Sequence, residues 1–133
     1  MTTPMNYLWI AIGGAIGSTA RFWCSDVIAH RFPSSFPWGT IAVNISGSFL
    51  IGVLAAIYGP GGKHSGQEAV RQFLVVGFCG GYTTFSAFSM QTLDLARAGE
   101  WISAGGNVLA SVTLCLLATG LGFVLGSSFG TSR

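Results

Sequence analysis

Four apolar stretches alternate with short polar ones along the chain, and each is long enough to cross a bilayer. A hydrocarbon core of about 30 Å needs about 20 mainly apolar residues in helical form. The first stretch runs from Tyr7 to Ile28, with Arg21 near its far end, and the second from Trp38 to Tyr58 carries no charge. The third is uncharged from Phe73 to Leu93, and the fourth from Trp101 to Ser132. Aromatic residues at both ends of the second stretch suit the headgroup layer. Turn formers and half of the charged residues fall between the stretches: His30 to Pro37, Gly59 to Glu68, and the short Ala96 to Glu100. The pattern predicts an all-α integral membrane protein, with four transmembrane helices in a single domain over residues 1–133.

Composition sharpens this picture. Of the 133 residues, 50% are hydrophobic and 8% charged, against about 25% charged in an average soluble domain. A net charge of +2 with no basic run excludes a phosphate-tracking surface. Cys24, Cys79 and Cys115 are far apart within apolar stretches, which fits neither a metal site nor a disulfide framework. Met1 to Asn6 has no positive region of the secretory-signal kind, so the first stretch is expected to be retained as a span.

Four spans put both termini on one side of the membrane. That side holds Lys63, Arg71 and Arg133, and the other holds Arg21, Arg31 and Arg97, three against three. Orientation follows the excess of Lys and Arg, so a tie predicts insertion both ways up. Dual insertion allows an antiparallel homodimer, in which any off-axis site occurs twice.

The polar residues within the spans carry the candidate chemistry. Gly13 and Gly17 form a small-xxx-small pair for close helix approach. The third span places Gly77, Gly80 and Gly81 beside Tyr82, Thr83, Thr84 and Ser86 at mid-membrane. Glycine costs about 1 kcal/mol in a helix interior relative to alanine, and the cluster reads either as a packing kink or as a functional break. A break would free carbonyls that mid-membrane tolerates only in protein, beside a watery cavity or on an ion. Phe85 and Phe88 share a helix face; they serve as core packing or offer their positive ring edges to an anion. Asn44, the one strongly polar residue of the second span, either donates to an anion or bonds across helices. Asn107, Ser111, Cys115 and Thr119 form a stripe along the fourth span, for packing or for passing an ion along. Arg21 either snorkels to the interface or lends positive potential to an entrance. Asp26, Glu68, Asp94 and Glu100 all fall at span ends, so no carboxylate is available at mid-membrane for a proton or a cationic substrate.

With these residues together, the chain resembles the Fluc/CrcB fluoride-channel family. The likeness is carried by Gly13-Gly14-Ala15-Ile16-Gly17 with Arg21, and by Gly39-Thr40-Ile41-Ala42-Val43-Asn44 with Gly47. Its most specific part is Gly77 to Ser89, and the fourth span contributes Ser111. The resemblance implies an antiparallel dual-topology homodimer with two pores and a third helix broken near its middle. It implies passive, selective export of fluoride, which enters cells as the neutral acid and is trapped as the anion. Asn44, Phe85, Phe88 and Ser111 would then line the pore, with Thr84 and Ser86 as further candidates. The carbonyls of Gly80 and Thr83 from two copies would hold one structural sodium ion (Na+), and Arg21 would shape the entrance. The implied location is a bacterial plasma membrane. Ala87 departs from the family pattern, where threonine is common, and Asn107 and Cys115 stand where other members have tyrosine and serine.

Other classes fit less well. A small multidrug exporter needs an intramembrane acid. A non-transporting membrane subunit would explain the glycines but not amide, hydroxyl and phenyl groups spread over three spans. An enzyme would need a nucleophile–base pair or a metal cluster, and the sequence offers neither.

Overall fold

The computed structural model describes residues 3–130. Arg133, counted above in the charge balance, lies outside the described residues, as does the end of the fourth apolar stretch. Helix α1 spans Pro4–Arg31, α2 Trp38–Tyr58 and α3 Glu68–Arg71. A π-helical segment, Gln72–Cys79, continues α3 and runs into α4, Gly80–Tyr82. Helix α5 covers Phe85–Arg97 and α6 covers Trp101–Gly130.

Local chemistry accounts for the ends. Pro4 occupies the first turn of α1, where its missing N–H loses nothing. The second helix starts directly after Pro37 and ends before Gly59, as its apolar run implies. Gly99, with φ +79°, takes the left-handed conformation that closes α5 and lets α6 begin two residues later. Two carboxylates at the span ends are tied to neighbouring polar groups. Asn6 Nδ2 donates to Glu68 Oε1 at 3.2 Å, and Ser35 Oγ donates to Glu100 Oε2 at 2.9 Å.

Two helix pairs build the molecule. The first helix packs on the π-helical segment and α4, and α2 packs most extensively on α6. Both contacts are backbone on backbone. A side chain at Gly13 would strike the Phe73 carbonyl oxygen, and one at Gly17 the Phe78 carbonyl oxygen. From the other side, a Cβ on Gly77 would stand 2.8 Å from the Ile10 carbonyl oxygen. The α2–α6 crossing is as close, with Gly122 against Phe49 and Gly126 against Val53.

The distribution of side chains is the reverse of a soluble protein's. The buried set is small and includes Asn6, Thr40, Gln72, Asn107 and Ser111. Large apolar groups face outward: Ile102 is 94% exposed, Phe129 77% and Trp101 72%. Such an apolar exterior is stable in hydrocarbon and not in water. Among the described residues, three helical stretches are long and apolar enough to cross a bilayer: Trp38–Tyr58, Glu68–Arg97 and Trp101–Phe129. The first helix has the length, at 28 residues, but carries Arg21 and Asp26 among several hydroxyls and so falls short on apolarity.

Candidate functional site at the α4–α5 link

The third apolar stretch is interrupted by two extended residues. Thr83 has φ −83° and ψ 156°, and Thr84 has φ −152° and ψ 117°. The interruption falls after the glycines and not at them. Gly80 keeps helical angles, with φ −63° and ψ −36°, while Gly77 and Gly81 serve the contact with α1. Two adjacent β-branched threonines favour extended backbone, and Thr84 then caps α5. Its Oγ1 accepts from the Ala87 N–H at 3.2 Å.

Asn44 fastens this link to α2. The Thr84 N–H donates to Asn44 Oδ1 at 2.8 Å, and Asn44 Nδ2 donates to the Thr84 carbonyl at 3.0 Å. A backbone N–H needs an acceptor, so the amide orientation follows from the bond itself. Of the two roles open to Asn44 from sequence, the bond across helices is therefore realised. One Nδ2 proton remains for another acceptor.

The clamp and the cap have a consequence for two carbonyls. In a continuous helix Gly80 would receive the Thr84 N–H, and Thr83 would receive the Ala87 N–H. Those donors go instead to Asn44 Oδ1 and Thr84 Oγ1. The carbonyls of Gly80 and Thr83 thus lose their helical partners at mid-span. Oxygen atoms of this kind suit a hard cation. Among the described residues, no group of three His, Cys, Asp or Glu side chains is placed to hold a metal. Gly81 is served differently, since Arg21 Nε donates to its carbonyl at 3.1 Å and Ser18 Oγ at 3.4 Å. The Arg21 charge sits at the C-terminal end of α4, where carbonyl dipoles favour a cation. It joins α1 to the link.

Beside the link lies a groove of about 410 Å³. Its polar wall is Asn44, Ser48, Thr83, Thr84, Ser111 and Cys115, its aromatic wall Phe85 and Phe88, and Ile51, Val112 and Leu116 complete it. The two rings lie 5.2 Å apart between centroids, tilted by 52°. Phe88 is 8% exposed, whereas Phe85 is 76% exposed at the groove's open side. Ser86 is exposed, and its Oγ lies 3.2 Å from Thr84 Oγ1; it is outside the groove wall. A larger hollow of about 540 Å³ lies under the first loop. The Asp26 carboxylate borders it, and a carboxylate repels anions; the groove has none.

The stripe on α6 divides in two. Ser111 and Cys115 line the groove. Asn107 lies behind it, with Nδ2 donating to Thr92 Oγ1 at 2.8 Å and Oδ1 facing Ser111 Oγ at 3.3 Å. Thr119 Oγ1 donates to the Cys115 carbonyl at 2.9 Å and does not reach the groove. Reading the sequence missed Ser48 and Thr92. Helical spacing could have found both, because Ser48 follows Asn44 by four positions and Thr92 follows Phe88 by four.

Comparisons with known proteins bear on this groove. The family model described as "CrcB-like protein, Camphor Resistance (CrcB)" matches residues 8–123. A protein of Methylocella silvestris named fluoride-specific ion channel FluC is 52% identical over 121 residues, covering 91% of this chain and 92% of its own length. A Rhodospirillum rubrum protein of the same name is 52% identical over 120 residues, 90% of this chain and 93% of its own. Another, from Opitutus terrae, is 49% identical over 118 residues, 89% of each.

Proposed function

Since the chain belongs to the CrcB family, we propose that it is a fluoride-specific ion channel that lets fluoride leave the cell passively. The observation that carries this reading is the groove at the α4–α5 link. It gathers an amide, hydroxyls and two phenyl rings, and no carboxylate, at the middle of an apolar helix bundle. Fluoride sheds water only where other donors replace it. The remaining Asn44 N–H, the hydroxyls of Ser48 and Ser111, and the positive edges of Phe85 and Phe88 supply such replacements. Thr84 and Ser86 act on the link, as cap and as the cap's partner. Arg21 steadies it from α1. The membrane potential drives the anion outward, so no coupling ion and no intramembrane acid is required. The setting is a bacterial plasma membrane, crossed by four helices, with α1 as the least apolar of them.

The working unit in this proposal is an antiparallel homodimer of dual topology, with two pores. Its support is the open side of the groove, where Phe85 lies largely uncovered. A second copy closes that side and adds its own wall. The carbonyls of Gly80 and Thr83 from both copies would hold one sodium ion on the two-fold axis. Bound there, the ion would compensate carbonyls that the link has deprived of donors. Gly80 fits this arrangement, since a Cβ built on it meets nothing within 4 Å in its own chain.

Anion efflux from liposomes containing the purified protein tests the function. Rapid loss of fluoride with chloride retained is expected, and a Phe85→Ile variant should lose it by at least about 100-fold, or about 3 kcal/mol in barrier. Folded protein that releases no fluoride would remove the channel reading. A second measurement tests the dimer. Gly80→Val should leave helical content unchanged, because a Cβ there meets nothing within 4 Å in the protomer, yet lower the dimer fraction in detergent about ten-fold. A wild-type dimer fraction would place the partner elsewhere.

A further inference from the structure

The hydroxyl that Ser111 presents to the groove is controlled from behind. Ser111 is 7% exposed and lines the groove; Asn107, one turn away, is 1% exposed and does not. Donor and acceptor chemistry alone orients the bonds between them. The Phe88 carbonyl can only accept, so Thr92 gives it its single proton, Oγ1 to O at 2.7 Å. Thr92 Oγ1 then has only acceptor capacity left for Asn107, which must turn Nδ2 toward it, at 2.8 Å. That leaves Asn107 Oδ1 facing Ser111 Oγ at 3.3 Å. An amide oxygen only accepts, so the Ser111 proton points at Asn107 and its lone pairs are left for the groove.

We propose that Asn107 competes with the permeant anion for the Ser111 proton, and thereby sets how tightly the groove holds fluoride. The proposal rests on the fluoride-channel reading above. For Ser111 to donate to an anion, its hydroxyl must rotate away and leave the buried Asn107 oxygen without a donor, which is unfavourable. At 3.3 Å the contact is longer than the roughly 2.5–3.0 Å of an ordinary O–H···O bond, so it is weak and the exchange is open to an arriving anion. A conduction site must bind well enough to be entered and weakly enough to be left. Withholding one donor serves the second requirement. Asn107 is a positioning residue here, because it touches Thr92 and Ser111 and not the groove.

The test is the fluoride dependence of liposome efflux for wild type, Asn107→Leu and Thr92→Val, each with and without Ser111→Ala. Asn107→Leu removes the acceptor. Thr92→Val leaves α6 intact and removes the group that orients the amide, which is then free to turn Nδ2 toward Ser111 and release its proton. Each single variant should lower the half-saturating fluoride concentration about five-fold, the equivalent of about one hydrogen bond, and lower the maximal rate with it. Adding Ser111→Ala should abolish that shift. A purely structural role would reduce the maximal rate at unchanged half-saturation, whether or not Ser111 is present, and would overturn the proposal. If Asn107→Leu does not fold, Thr92→Val decides alone. Wild-type liposomes that retain fluoride would overturn the channel reading and this inference together. Wild-type efflux with unshifted variants would overturn only this inference.

Discussion

Replacing Asn44 with alanine is expected to abolish fluoride efflux and to lower stability at the same time. The Thr84 N–H has Asn44 Oδ1 as its acceptor at 2.8 Å, and alanine offers no acceptor in its place. Stranding this part-buried donor costs up to about 1–3 kcal/mol, and the bond to the Thr84 carbonyl is lost as well. Released from α2, the link no longer fixes where α5 begins. Phe85, the first residue of α5, and Phe88 move with it. The expected fall in fluoride efflux is therefore at least about 100-fold, or about 3 kcal/mol in barrier. Denaturant unfolding in detergent should show a lower midpoint. An alanine variant that conducts at the wild-type rate would show that the clamp is irrelevant to the pore.

The second large effect concerns Gly17. Any side chain there overlaps the Phe78 carbonyl oxygen and stands 3.0 Å from the Tyr82 nitrogen. Both are backbone atoms, which cannot swing aside as a flexible side chain can. Overpacking of this kind costs about 1–3 kcal/mol and sometimes more. Gly17→Ala should lose about that much stability, and Gly17→Leu should yield no folded protein on size-exclusion chromatography. Gly120→Ala is the control, because an added Cβ there meets nothing within 4 Å. Equal yields of Gly17→Leu and Gly120→Ala would contradict the crossing of α1 over the π-helical segment.

Much of this architecture is legible in the order of residues, and the reasons for the rest are physical. Helix α2 has the limits that its charge-free run, its terminal aromatics and Pro37 imply. Helix α1 extends beyond its apolar stretch at both ends, from Pro4 to Arg31, since polar residues continue a helix where the apolar run stops. The π-helical turns were not legible, because the change from four-residue to five-residue bonding leaves the hydropathy pattern unaltered. The glycines drew attention to the middle of the third stretch, yet the helix ends at Tyr82. What stops it there is a threonine pair fastened by a residue forty positions earlier in the chain. The site residues Asn44, Phe85, Phe88 and Ser111 do meet in one groove, because each lies on a face that spacing identifies. Their hydrogen-bond partners depend on which helices are neighbours, and single-helix periodicity does not contain that. Arg21 illustrates the limit: its place near a span end is legible, but its partner, the Gly81 carbonyl sixty positions later, is not.

The interleaving of the two helix pairs governs how the protein is made. As the chain leaves the ribosome, α1 emerges before the π-helical segment that covers its glycine face. Helix α2 waits longer, because its main partner α6 is the last element to emerge. Neither half of the gene product therefore contains a finished pair. The α2–α6 pair can therefore close only when synthesis is nearly complete.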